Sequence, residues 1–72
     1  MNKQQTPNTN KIRQAAILEA AKILFMKFGY DKTSMADIAK HAGISKGATY
    51  LNFKSKDALF EFLLMTQMFD FG

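Results

Sequence analysis

Apolar residues recur at helical spacing in the first half of the chain. Between about Lys11 and Phe28 they fall on one wide face, formed by Ile17, Ala20, Ala21, Leu24, Phe25 and Phe28. A stripe of this width predicts an amphipathic helix that packs on a core. Thr9 or Asn10 is expected to cap this helix, because either side chain can accept a backbone N–H.

Three further helices are predicted after the first. The second is short, about Met35 to Ala42, with a buried face of Met35, Ile38, Ala39 and Ala42. The third, about Lys46 to Leu51, is intrinsically weak, because Gly47, Thr49 and Tyr50 are mediocre or poor helix formers. The fourth is apolar on nearly every face, through Leu59, Phe60, Phe62, Leu63, Leu64, Met65, Met68 and Phe69. Three helices cannot bury all of these, so we expect another domain or chain to cover them, or the chain to be a fragment.

Glycines mark two of the predicted helix ends. Gly29 and Gly43 stand where a left-handed backbone conformation ends a helix at low cost. At the first end, Tyr30 and Phe25 would form the hydrophobic pair of a Schellman stop. The second end leaves only the turn from Ala42 to Ser45 before the third helix, which predicts a helix-turn-helix over about 34–53.

Serines mark the predicted helix starts. Ser34 and Asp37 have the spacing of a capping box, and Ser45 and Ser55 precede the third and fourth helices. Asp57 in the first turn of the fourth helix suits the helix dipole. The predicted fold is all-α. A three-helix bundle that contains the helix-turn-helix spans 10–54, and the start of a linking fourth helix spans 55–72.

Length and composition exclude several classes of site. A chain of 72 residues holds one small domain at most. With no cysteine and one histidine, His41, it has no disulfide, no thiolate site and no zinc site of its own. It also lacks a nucleophile–histidine pair and any glycine-rich nucleotide motif. We therefore expect no enzyme, metal or cofactor, and expect His41 to face solvent.

The N-terminal segment is polar and lacks periodicity. Residues 1–9 contain the only proline and no apolar stretch, which predicts a disordered arm rather than a signal peptide. No apolar run approaches the ~20 residues that span a bilayer. We expect a cytoplasmic protein that does not enter a membrane.

The charge distribution favours a polyanionic partner. The net charge is +4, and no acid lies between Asp37 and Asp57, whereas four lysines do, Lys40, Lys46, Lys54 and Lys56. A helix-turn-helix with charge of one sign is typical of DNA-binding proteins.

Candidate DNA contacts follow from helix starts and small residues. Ser45 and Lys46 begin the third helix and Thr33 and Ser34 begin the second, where free N–H groups favour phosphates. Gly47 and Ala48 allow close approach to the major groove. Tyr50 could reach a phosphate, and Lys54 and Lys56 would flank the groove.

Each candidate also has a purely structural interpretation. In this interpretation the serines are only helix caps, the lysines are ordinary surface residues, and Tyr50 is a half-buried core tyrosine. Asn52 either contacts a base edge or forms a local hydrogen bond. Thr49 and Phe53 are assigned to the core.

The sequence resembles the DNA-binding domain of the TetR family of bacterial regulators. The resemblance covers about Ile17 to Leu63 and rests on I-A-x-x-A-G-I-S-K-G at 38–47 together with Y-x-x-F-K-S-K at 50–56. It implies a fourth helix that links the domain to a larger helical domain, which dimerises and binds a small-molecule effector. It also implies a set of DNA contacts: Thr33, Ser34, Ser45, Lys46, Gly47, Ala48, Tyr50, Leu51, Asn52, Lys54 and Lys56. At Leu51 and Asn52 the family often has aromatic residues or histidine.

Two hypotheses of function follow. The first is sequence-specific binding of double-stranded operator DNA by a repressor that acts as a homodimer and is released by an effector bound in a C-terminal domain absent from this chain. The alternative is a helical protein-interaction module that uses the apolar fourth helix, with the lysines serving only solubility.

Overall fold

The computed structural model describes residues 9–71, and these residues form four helices and no strand. The helices are α1 (Thr9–Phe28), α2 (Met35–Ala42), α3 (Lys46–Asn52) and α4 (Lys56–Phe71). The all-α prediction is confirmed, and the third helix extends one residue beyond its predicted end. Residues 1–8 of the predicted disordered arm lie outside the described residues.

The start of α1 differs from the prediction. Thr9 is the first helical residue and Asn10 lies inside the helix, so neither caps it as predicted. Helix α1 therefore includes Thr9, which the sequence analysis assigned to the arm because residues 1–9 show no periodicity.

The core forms where α2, α3 and α4 pack against α1. Ile17, Ile38 and Leu59 are fully buried, one each from α1, α2 and α4, and Phe53 closes the core behind α3. Thr49 of α3 is also fully buried, as predicted for both Thr49 and Phe53. Burial of these apolar side chains is the main force that holds three short helices at fixed angles.

Phe28 is the exception on the predicted face of α1. Its side chain is 56% exposed, whereas Leu24 one turn earlier is buried. Phe28 is the last residue of α1, and its ring lines an open cleft between that helix end and α2 rather than the core. A helical repeat predicts the direction of a side chain but not whether another element covers it.

Both glycine stops are present. Gly29 has φ +94°, its N–H donates to the Phe25 carbonyl at 2.9 Å, and the Phe25 and Tyr30 rings lie 5.3 Å apart. This single bond is typical of the αL motif and not of the Schellman motif that was predicted. The predicted pair of rings is nevertheless formed. At the end of α2 the N–H of Ile44 donates to Ala39 at 3.0 Å and that of Gly43 to Lys40 at 3.2 Å, the two bonds of a Schellman motif.

One face of α4 completes the core, and several other apolar side chains in its described part are exposed. Ser55 caps α4 as predicted, because its hydroxyl oxygen accepts the N–H of Ala58 at 3.1 Å. Leu59 and Leu63 are buried against the bundle, but Phe62, Leu64 and Met65 are exposed. The predicted excess of apolar surface is therefore real over the described part of α4. The side chains of Met68 and Phe69 lie outside the described residues.

No helix among the described residues has the length and apolar character needed to cross a membrane.

Candidate nucleic-acid interface

The starts of α2 and α3 are both capped by exposed serines. The Ser34 hydroxyl oxygen accepts the N–H of Asp37 at 3.1 Å, and the Ser45 hydroxyl oxygen accepts the N–H of Ala48 at 3.1 Å. A serine hydroxyl that accepts one bond still has its own proton to donate. Each helix start therefore offers a hydroxyl donor beside free backbone N–H groups, which is a favourable arrangement for an anion.

The outer surface of α3 is formed by four residues at helical spacing. Lys46, Gly47, Tyr50 and Leu51 are exposed, whereas Thr49 on the opposite face is fully buried. Leu51 is 87% exposed and Tyr50 is 42% exposed, so Tyr50 is a surface residue rather than the core tyrosine of the alternative interpretation. The buried Thr49 hydroxyl is satisfied locally, since it donates to the carbonyl of the cap residue Ser45 at 2.9 Å.

Gly47 has no structural role inside the fold. Its φ is not in the left-handed region, and a Cβ built on it meets nothing within 4 Å. The internal packing would accept any small side chain, and alanine would favour the helix by about 1 kcal/mol. The absence of a side chain here makes the backbone of α3 accessible from outside, next to the half-buried Ala48.

Asn52 forms the local bond that was one of its two predicted roles. Its amide nitrogen donates to the Ala48 carbonyl at 2.9 Å, and the residue is half-buried. Base recognition by asparagine uses the amide donor together with the oxygen acceptor. One of the two amide N–H groups is thus engaged, and the second N–H and the side-chain oxygen are available for a partner.

Thr33 does not reach this surface with its side chain. It is 2% exposed, and its hydroxyl lies against the Gly29 carbonyl at 2.9 Å and the Leu24 carbonyl at 3.3 Å. The Thr33 hydroxyl is therefore engaged inside the fold, and a DNA contact at Thr33 stays a prediction. The sequence places Thr33 at a helix start, but it does not reveal that the hydroxyl closes the end of α1 instead.

The two lysines before and at the start of α4 have different environments. Lys54 is exposed in the short link between α3 and α4. Lys56 is half-buried, and its ammonium donates to the Tyr30 carbonyl at 2.7 Å and to the Thr33 carbonyl at 2.9 Å. The ammonium also lies 4.2 Å from the centroid of the Tyr30 ring.

The basic side chains of α2 and of the start of α3 are at the surface. Lys40 and Lys46 are exposed, and His41 faces solvent as predicted. The carboxylate of Asp37 belongs to the capping box of α2, where it accepts the N–H of Ser34 at 3.1 Å. Over the described residues, no three His, Cys, Asp or Glu side chains are grouped in a way that could hold a metal ion.

The segment that contains this arrangement matches a known family model. Residues 17–63 match the model described as bacterial regulatory proteins, tetR family. The chain belongs to the TetR family. The sequence resemblance is thereby confirmed, over the same residues.

Relatives of this TetR-family chain are named as helix-turn-helix regulators. It is 43% identical over 54 residues to the uncharacterized HTH-type transcriptional regulator YfiR of Bacillus subtilis, covering 75% of this chain and 26% of YfiR. It is 45% identical over 51 residues to the HTH-type transcriptional regulator TtgR of Pseudomonas putida, covering 71% of this chain and 24% of TtgR. It is 40% identical over 48 residues to the HTH-type transcriptional repressor Rv1474c of Mycobacterium tuberculosis, covering 67% of this chain and 26% of that protein.

This TetR-family chain therefore spans about a quarter of the length of these three relatives. No solved structure matches the chain significantly.

Proposed function

We propose that this chain is the DNA-binding part of a transcriptional regulator that acts without enzymatic chemistry and places α3 in the major groove of operator DNA. The observation that carries the proposal is the exposed face of α3. It combines a glycine that the fold does not need, an exposed lysine at the helix start and two large exposed side chains. Helix stability alone would not favour the glycine on a helix of seven residues.

Phosphate contacts supply most of the affinity in this proposal. Ser34 and Ser45 donate their hydroxyl protons to phosphates, together with free N–H groups at the starts of α2 and α3. Lys46, Lys54 and Tyr50 reach phosphates on either side of the groove, and Lys40 adds to the positive potential.

Base contacts come from the middle of α3. The open backbone at Gly47 lets the helix approach the base edges, Ala48 and Leu51 offer apolar contact to thymine methyl groups, and Asn52 offers its side-chain oxygen. Selection from a library of random duplexes tests this part. An enriched motif is expected, and it should change when Leu51 is replaced by alanine. Recovery of no motif would contradict base recognition by α3.

The whole regulator is proposed to be a cytoplasmic homodimeric repressor that a small-molecule effector releases from DNA. The relative Rv1474c is named as a repressor. Two copies of one helix-turn-helix domain bind two half-sites of an operator about one helical turn or a multiple of it apart. This predicts pseudo-palindromic motifs when the selection is done with the dimer.

The second candidate function is a protein-interaction module that uses α4. The observation in its favour is the exposure of Phe62, Leu64 and Met65. The two candidates differ in their dependence on nucleic acid. Partner binding that is insensitive to nuclease treatment, with no shift of any duplex, would favour the module.

A further inference from the structure

Lys56 ties the first turn of α4 to the loop between α1 and α2. Its two carbonyl acceptors, Tyr30 and Thr33, lie 26 and 23 residues away in sequence, at 2.7 and 2.9 Å from the ammonium nitrogen. The contact is thus long-range and joins two segments that no local rule brings together. It uses two of the three N–H donors of the ammonium.

The loop that Lys56 holds is otherwise ordered by contacts around the same two residues. The Thr33 N–H donates to the Tyr30 carbonyl at 3.2 Å, and the Tyr30 hydroxyl donates to the Asp57 carboxylate. The Tyr30 ring also packs between Phe25 of α1 and Phe60 of α4, with centroids 5.3 and 5.1 Å away. The loop is therefore fixed to α4 by polar contacts at its backbone and by ring packing at Tyr30.

Thr33 directly precedes Ser34, the cap of α2. A shift of the Thr33 carbonyl moves the Ser34 hydroxyl and the free N–H groups of the first turn of α2 with respect to α3. These are neutral donors, and their value for a phosphate depends on position, because hydrogen bonds weaken steeply as their geometry departs from linear. An exposed ammonium at Lys56 would instead act on DNA directly through its charge.

We propose that Lys56 is a positioning residue for DNA binding, which acts through the Tyr30 and Thr33 carbonyls to set the α2 start against α3. The inference rests on the proposed function and deepens it. It assigns to Lys56 a role different from that of Lys54, which is exposed and contacts a phosphate with its charge.

Salt dependence separates the two roles. Each phosphate neutralised by a lysine adds about 0.9 to the slope of log affinity against log salt on B-DNA. Loss of neutral hydrogen bonds lowers the affinity at every salt concentration and leaves the slope unchanged. The matched variants are Lys56→Met and Lys54→Met, which remove the same charge two positions apart and keep a long apolar stem.

The experiment measures binding of the chain to a fluorescein-labelled duplex of mixed sequence, at low temperature and at several salt concentrations from about 50 to 200 mM. Lys54→Met should reduce the slope by about 0.9, with little effect when the affinity is extrapolated to 1 M salt. Lys56→Met should keep the wild-type slope and lower the extrapolated affinity about tenfold, the equivalent of one or two neutral hydrogen bonds. Lys56→Arg, which keeps donors and charge, should restore most of the affinity.

Circular dichroism on the same samples shows which variants are folded, and Lys56→Gln takes the place of Lys56→Met if the latter is not. Amide hydrogen exchange provides a second readout, with faster exchange expected in the Lys56 variant only at Thr33 and Ser34, whose N–H groups donate to the Tyr30 carbonyl and the Asp37 carboxylate. A folded Lys56 variant that binds as tightly as the wild type, with only a lower unfolding temperature, would reduce Lys56 to a structural role and overturn the inference.

A Lys56 variant whose slope is smaller by about 0.9 and whose affinity extrapolated to 1 M salt equals that of the wild type would identify Lys56 as a phosphate contact. That result would overturn the inference about Lys56 but not the proposed function. Wild-type protein that does not bind the duplex would overturn the proposed function, and the inference with it.

Discussion

Ser34 and Asp37 satisfy each other across the first turn of α2: the Ser34 hydroxyl oxygen accepts the Asp37 N–H, and the Asp37 carboxylate accepts the Ser34 N–H, both at 3.1 Å. This capping box stabilises the helix and is formed by a serine that is exposed to solvent. The same residue thus belongs to the fold and to the proposed interface, so its two roles have to be separated by experiment.

Replacement of Ser34 by alanine should affect both stability and DNA binding. Loss of a serine cap costs about 1 kcal/mol of stability. Loss of one hydroxyl donor to phosphate should lower DNA affinity about fivefold. Chemical denaturation and fluorescence anisotropy measure the two effects. Ser55→Ala is the matched control, because Ser55 caps α4 with the same 3.1 Å bond but is not among the proposed contacts. A similar loss of affinity in both variants would remove the Ser34 hydroxyl from the interface.

Replacement of Gly47 by alanine should change stability and DNA affinity in opposite directions. The fold has space for the added methyl, so the unfolding free energy should rise by about 1 kcal/mol. On DNA the same methyl should overpack the contact at a cost of roughly 1–3 kcal/mol, a loss of about 5- to 150-fold in affinity.

Gly43→Ala provides the contrast for Gly47. Gly43 has φ +74°, so alanine should destabilise the chain there by roughly 1–2 kcal/mol. A Gly47→Ala variant that is more stable and binds DNA as the wild type does would show that the backbone of α3 does not approach the bases.

The two faces of α4 should respond differently to truncation. Leu59 is fully buried in the core, so Leu59→Ala should cost about 2–5 kcal/mol, enough to unfold much of a domain of this size. Leu64 lies on the exposed side of the same helix, and Leu64→Ala should change stability by less than about 0.5 kcal/mol. Thermal unfolding of the two variants tests this. A large loss in Leu64→Ala would mean that the exposed side of α4 is covered in solution.

Features set by neighbouring residues could be predicted from the sequence. Ser34, Ser45 and Ser55 cap as predicted, because a cap acts over three residues and its chemistry is visible in the sequence. Gly29 and Gly43 stop helices for the same reason. The buried face of α2 follows from a 3.6-residue repeat that continues through its whole length.

Features that depend on residues distant in sequence could not be predicted from the sequence. Thr33 has the spacing of a DNA contact, but its hydroxyl bonds to Leu24 and Gly29 at the end of the preceding helix. Lys56 lies only two residues after the exposed Lys54, and the path of the loop before α2 gives it carbonyl partners. Nothing in the local sequence distinguishes a lysine that faces solvent from one that binds a loop more than twenty residues away.

The salt dependence of DNA affinity tests the central claim most directly, in the wild-type chain and in Lys46→Ala. Lys46 begins α3, and its exposed ammonium is proposed to contact a phosphate, with counterions released on binding. The wild-type affinity should fall steeply between about 50 and 200 mM salt, and Lys46→Ala should bind every duplex more weakly, with a slope smaller by about 0.9. An affinity of the wild type that does not change with salt, or a Lys46→Ala variant with the wild-type affinity and slope, would contradict DNA binding through the start of α3.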